Sequence, residues 1–216
     1  MLKNSPVELI AGVITLLVAF TFHEFAHAWT ATRFGDDTPR LYGRLTLNPL
    51  SHLDMMGSLM LLFTGFGWAK PVPINPRRIQ QHSRAALMLV ALSGPAANFI
   101  LALLASIPLR FGWVVSSAPL VDFFPTPYQF LIYFLLTNLG LMLFNLIPLP
   151  PLDGDEVLSF FLPPAMQRSW DNVRPYGPYI LLALLILGPM VGLSLIDKVL
   201  RPAIITLAQI LLGGFL

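Results

Sequence analysis

The feature that most constrains this chain is a set of ionisable side chains inside an apolar run. From Val7 to Thr32 the residues are overwhelmingly apolar, longer than the roughly 20 needed to span a bilayer. Within the run lies Phe22-His23-Glu24-Phe25-Ala26-His27-Ala28. Ionisable groups at bilayer depth are costly and persist where pairing or function offsets the cost. His23 and His27 are four residues apart, so a helix projects both from one face, where they can share one metal ion. Glu24 lies one step round, placed to touch a water on that ion.

The rest of the composition agrees with a membrane chain. Of 216 residues, 56% are hydrophobic and 11% charged, against about 25% charged in a soluble domain. We expect an all-α polytopic membrane protein with about five to six hydrophobic helical segments. A small membrane-associated β-hairpin or re-entrant region should follow the first span. Residues 1–216 are expected to form a single integral-membrane domain. With no cysteine, neither a disulfide nor a thiolate metal site is possible, so any zinc must be held by imidazole and carboxylate. The net charge of +2 reflects orientation in a bilayer and not nucleic-acid binding. The first apolar run is too long for a signal peptide and carries the histidine motif, so it is not expected to be removed.

Residues 35 to 53 are polar and broken by Gly35, Pro39, Gly43 and Pro49. Between them, Leu41–Leu47 alternates apolar and polar residues, as a short strand or hairpin would. Met55 to Phe66 is apolar but short, about 18 Å as a helix against a core of about 30 Å, and reads as re-entrant or half-buried. Further spans are expected over Ala85–Leu109 and Tyr128–Ile147, and one or two more within Tyr176–Ile196 and Pro202–Leu216.

The Lys/Arg distribution sets the sides. Loop 67–85 carries Lys70, Arg77, Arg78 and Arg84, whereas loop 111–127 carries no Lys or Arg at all. The first loop is therefore expected in the cytoplasm and the N-terminus outside. The histidine motif then lies towards the cytoplasmic side of what is expected to be a bacterial cell membrane.

Two histidines leave a catalytic metal under-coordinated, since such sites have three protein ligands and an open position. His52, His82, Asp54 and Asp153 are the candidates. Asp153 is favoured because it follows a span broken by Pro148, Pro150 and Pro151, and broken backbone at membrane depth is tolerated where it lines a cavity. A helix-capping aspartate is the alternative. His52 suits an outer-shell or gating role or an ordinary loop histidine, and His82 looks solvated.

Three signals occur in order: His23-Glu24-x-x-His27, Gly94-Pro95-Ala96-Ala97-Asn98, and Asn145 through Asp153-Gly154. Together with Gly43-Arg44-Leu45-Thr46-Leu47-Asn48-Pro49 and Gly67-Trp68-Ala69-Lys70-Pro71-Val72-Pro73, they make the chain resemble the compact bacterial members of the site-2 protease family of intramembrane zinc metalloproteases. The resemblance implies a Zn2+ cofactor bound by His23, His27 and Asp153, with Glu24 as the catalytic carboxylate. It also implies that Asn145 lies near the metal, where its amide could donate to the developing oxyanion. A structural asparagine bonding freed backbone is the alternative there. Gly94, Ala96 and Ala97 are expected at a close helix contact against the first span. Asp155-Glu156 departs from the small-then-basic pair found in many relatives and adds negative charge near the site.

The expected activity is hydrolysis of peptide bonds in transmembrane-helix substrates by zinc-activated water, with Glu24 taking and returning the proton. The expected partners are such a substrate and the lipid bilayer, and no nucleic acid. The oligomeric state is not readable. The competing class is a membrane metal-ion transporter or a catalytically inactive scaffold, since intramembrane His and Asp also serve ion pathways. Glu24 separates the two, because hydrolysis needs a carboxylate beside the first ligand and transport does not.

Overall fold

A computed structural model describes residues 6–64, 67–116 and 124–214. The chain enters as a long helix, α1 (Pro6–Arg33), of about 42 Å at 1.5 Å per residue. It stops at Gly35, whose φ of +81° is the left-handed conformation that glycine adopts most readily. Ala19, Ala28 and Ala31 on α1 are each 0% exposed. Small side chains of this kind let neighbouring helices approach closely when there is no water to drive them together.

A short helical turn, α2 (Thr38–Leu41), follows, then α3 (Met55–Thr64) and α4 (Pro76–His82). The second long helix, α5 (Ala86–Arg110), packs on α1. The third, α6 (Pro127–Asn145), opens with a capping box in which Thr126 and Gln129 exchange hydrogen bonds, with Pro127 at its first position. Helix α6 packs against α5 and α1. Residues 146–152 then break under Pro148, Pro150 and Pro151, and α7 (Asp153–Phe161) folds back. A Cβ on Gly154 would collide with the carbonyls of Leu146 and Ile147; the absence of a side chain lets α7 start hard against the end of α6. Helices α8 (Pro164–Val173), α9 (Gly177–Met190) and α10 (Arg201–Leu212) complete the described chain.

Two clusters fix these elements. Ala102, Ala105, Leu135, Leu139, Met142, Ala208 and Leu212 join α5, α6 and α10. Ala31, Ile79, Ala86, Leu87 and Val90 join the end of α1 to α4 and the start of α5. The end of α1 and the start of α5 are therefore neighbours, as antiparallel packing requires.

Four helical segments among the described residues are long and apolar enough to cross a membrane: Leu9–Arg33, Ala86–Arg110, Pro127–Asn145 and Pro164–Met190. The five to six expected reduce to four because α10 is a 12-residue helix, about 18 Å long, and α3 a 10-residue helix, about 15 Å long. Residues 65 and 66, the end of the expected re-entrant stretch, lie outside the described residues, as do 215 and 216 at the end of the last apolar stretch. The hairpin expected over Leu41–Leu47 is not formed. Its start is the last turn of α2, and no strand occurs among the described residues; an isolated antiparallel bridge joins Leu53 to Ala69. The alternation is misleading because burial runs against it: Leu41 is 78% exposed and Arg44 is 4% exposed.

Candidate metal centre

The last three turns of α1, the first half of α5 and the first residue of α7 meet at one point. His23 and His27 lie on the face of α1 that α5 covers. Their Nε2 atoms are 3.1 Å apart. Asp153 faces both, with Oδ2 3.2 Å from His23 Nε2 and Oδ1 3.3 Å from His27 Nε2. The ligand atoms of these three residues all lie within 4.8 Å of one another.

Second contacts fix the ring orientations. His27 Nδ1 lies 2.8 Å from the Val90 carbonyl, an acceptor only, so Nδ1–H is the donor. His23 Nδ1 lies 2.7 Å from Asn98 Oδ1. The Asn98 amide nitrogen donates to Asn138 Oδ1 at 2.9 Å and to the Ala19 carbonyl, so its oxygen accepts from His23. Asn138 in turn donates to the Phe134 carbonyl. Asn98 and Asn138 are both 0% exposed, forming a buried polar ladder from α6 through α5 to α1. With each Nδ1 carrying the proton, both Nε2 atoms of the neutral rings present lone pairs.

Those lone pairs point at each other and at a carboxylate, and Asp153 Oδ2 is buried without a hydrogen-bond partner. Such a set is mutually repulsive unless a cation lies within it. A tetrahedral zinc with bonds of about 2.0–2.1 Å holds its ligands roughly 3.3 Å apart, the spacing seen here. The donor set therefore fits Zn2+, with two imidazoles and one carboxylate leaving one position open. Gly94 supplies the room. A Cβ there would come within 2.6 Å of His23 Nε2 and closer still to His27 Nε2. The close contact expected at Gly94 is thus a contact with the ligands themselves.

Glu24, 8% exposed, follows His23 and stands outside the ligand group. Its Oε2 accepts from the backbone N–H of Val72 at 3.1 Å. The fold does not bring the other sequence candidates to the centre. Asp54 accepts from the Gly57 N–H at 2.8 Å as the cap of α3. His82 is exposed and lies edge-on to Phe34. His52 is 0% exposed and donates from Nε2 to the Thr46 carbonyl. Asn145 ends α6, just before the break that leads to Asp153. Its amide donates to the Leu141 carbonyl at 3.0 Å, one turn back in its own helix.

The carboxylates of Asp155 and Glu156 do not add an uncompensated charge. Asp155 accepts from Trp170 Nε1 at 2.6 Å and from Arg174 Nε, and Glu156 accepts from Arg174 Nη2 at 3.0 Å. Burial raises the Glu156 pKa above its ordinary value, with Arg174 opposing.

Sequence reasoning missed Asn138, the Val90 carbonyl, the Val72 amide and Arg44. A guanidinium buried against the backbone of a distant segment has no local sequence signature. Burial lowers the Arg44 pKa, and the negative charge of Glu24 offsets part of that shift.

Comparison with known proteins places this geometry in context. The model of Peptidase family M50 matches residues 11–117. The chain is 43% identical over 174 residues to a candidate zinc metalloprotease of Bacillus subtilis, YwhC, covering 81% of this chain and 79% of that relative. It is 36% identical over 187 residues to the candidate zinc metalloprotease Rip2 of Mycolicibacterium smegmatis, covering 81% and 68%. Rip2 of Mycobacterium tuberculosis is 34% identical over 194 residues, covering 86% and 69%. No solved structure matches.

Proposed function

The chain belongs to peptidase family M50, the site-2 protease family of zinc metalloproteases, and on that premise we propose that it hydrolyses peptide bonds of transmembrane substrates within the membrane. The observation that carries this reading is the meeting of His23, His27 and Asp153 with Glu24 alongside, inside a bundle of apolar helices. Zinc bound there would polarise both water and the peptide carbonyl.

The residues divide the remaining work. His23, His27 and Asp153 hold the ion and leave its fourth position open. Asn98 and the Val90 carbonyl fix the imidazole tautomers. Glu24 is general base and then general acid: it takes a proton from the attacking water and returns it to the leaving amine. One N–H of the Asn145 amide is engaged with its own helix, and the second is left to donate to the carbonyl oxygen. A substrate helix hides its carbonyls in its own hydrogen bonds, so it must unwind locally before attack. Residues 33–53, polar and leading to the end of α1, give water its entrance. The basic residues Arg33, Arg40, Lys70, Arg77 and Arg78 support the reading that this end of the bundle faces the cytoplasm.

The test is incubation of the purified zinc-loaded protein with a panel of single-span membrane proteins, with and without a zinc chelator. Cleavage should require zinc. Glu24→Gln should keep its zinc and cleave nothing. Unchanged cleavage by Glu24→Gln, or a wild-type protein that moves metal across vesicles and cleaves none of the panel, would overturn the reading.

A further inference from the structure

We propose that Arg44 is a positioning residue for Glu24, acting through the backbone of residues 70–72. The inference rests on the protease reading above and deepens it.

The stretch from Trp68 to Asn75 contains no helix and crosses over Glu24 as a strap. Its two ends are pinned. At one end Ala69 bridges Leu53, and the Lys70 N–H donates to the His52 carbonyl at 2.8 Å. At the other, the Asn75 N–H donates to Asp36 Oδ2 at 2.6 Å, and Asp36 is 0% exposed. Between them the sequence is Pro71-Val72-Pro73. Proline has no N–H and a fixed φ. Val72 therefore supplies the sole amide donor between Lys70 and Ile74, on a stiff backbone, and spends it on Glu24 Oε2. With Oε2 held, Oε1 is left without this bond and can take the proton.

Arg44 sets where this strap lies. Its guanidinium donates to the Lys70 carbonyl in a very short contact, two residues before the Val72 amide. A guanidinium 4% exposed is rarely kept without a specific partner, because burying its charge is costly. The carboxylate it senses is that of Glu24. One cation thus fixes the strap that orients the base and places a compensating charge near it.

The test uses the zinc-loaded full-length protein in detergent and benzohydroxamate as probe. A hydroxamate chelates an accessible zinc and passes its hydroxyl proton to a neighbouring carboxylate, so its affinity reads the placement of Glu24 without needing a substrate. Arg44→Gln should weaken binding about tenfold or more, within the usual range for losing an outer-shell partner, while zinc content stays at that of wild type. In a Glu24→Gln background the same substitution should have no effect. Val72→Pro, which removes the donor, should copy Arg44→Gln. Arg44→Gln binding within about twofold of wild type, a loss that persists in the Glu24→Gln background, or a parallel loss of zinc would each overturn the proposal. Failure of the wild-type protein to bind the probe would instead sink the protease reading and this inference with it.

Discussion

Gly94 on α5 stands directly against His23 on α1: a Cβ at position 94 would come within 2.6 Å of the His23 Nε2 atom. Both colliding groups are rings locked by their own hydrogen bonds, so neither can swing aside. Gly94→Ala should therefore lower zinc affinity by at least about tenfold, on the scale of losing a metal-site support. Metal content after dialysis against a graded zinc buffer measures this. A Gly94→Ala protein that retains full zinc would show that the helices can separate at this point.

Asn98 is predicted to matter through the ring it orients. Asn98→Leu removes the acceptor for the His23 Nδ1–H and strands Asn138. Zinc affinity should fall about 10–100-fold, read by competition with a chromophoric chelator. Asn98→Asp keeps an acceptor facing His23 and should retain more of the affinity than Asn98→Leu does.

Asn145 tests which of two roles a helix-end amide fills. Bonded to the Leu141 carbonyl, it should contribute about 1 kcal/mol to stability as an ordinary hydrogen bond. Asn145→Ala should lower the thermal midpoint and, with the oxyanion donor lost, cost about 100- to 1,000-fold in kcat. A kcat within about tenfold of wild type would instead leave Asn145 a structural role alone.

Glu156 gives a pH dependence with a defined sign. Its pKa is raised in the folded state, by burial first, with Arg174 opposing. The folded chain then holds more protons at this site than the unfolded chain above the ordinary carboxylate pKa of 4.5. Stability from this group is present below that value and is lost as pH rises through the raised one. The thermal midpoint of wild type, relative to Glu156→Gln, should fall with rising pH over that window. An unchanged difference between the two proteins would remove the linkage.

Orientation can be tested cleanly because the chain has no cysteine. Gln81→Cys, exposed on α4, should react with a membrane-impermeant maleimide only after the cells are opened. Labelling of intact cells would invert the assignment of the basic loop to the cytoplasm.

Much of the site was legible in the sequence. His23, Glu24 and His27 announce themselves because polar groups in an apolar helix are expensive, and four-residue spacing fixes their common face before any neighbour is known. Asp153 could be favoured from its broken, proline-rich approach, and Gly94 from its small-residue surroundings. The hairpin over Leu41–Leu47 was misread because a short alternation says nothing about which face is buried, and here Arg44 went inside while Leu41 stayed out.

What the sequence by itself determined is the membrane-spanning character of the chain and the pair of imidazoles on one helix face, since both follow from local composition and helical period. Only the tertiary structure decided that Asp153 closes the ligand set, that Asn98 and Asn138 support it from two other helices, and that a backbone N–H from Val72 reaches Glu24. Those contacts join residues 40 to 130 positions apart in the chain. Backbone carbonyls and amides, moreover, are the same in every residue. Helix packing alone brings such groups to a site, and no local pattern records it.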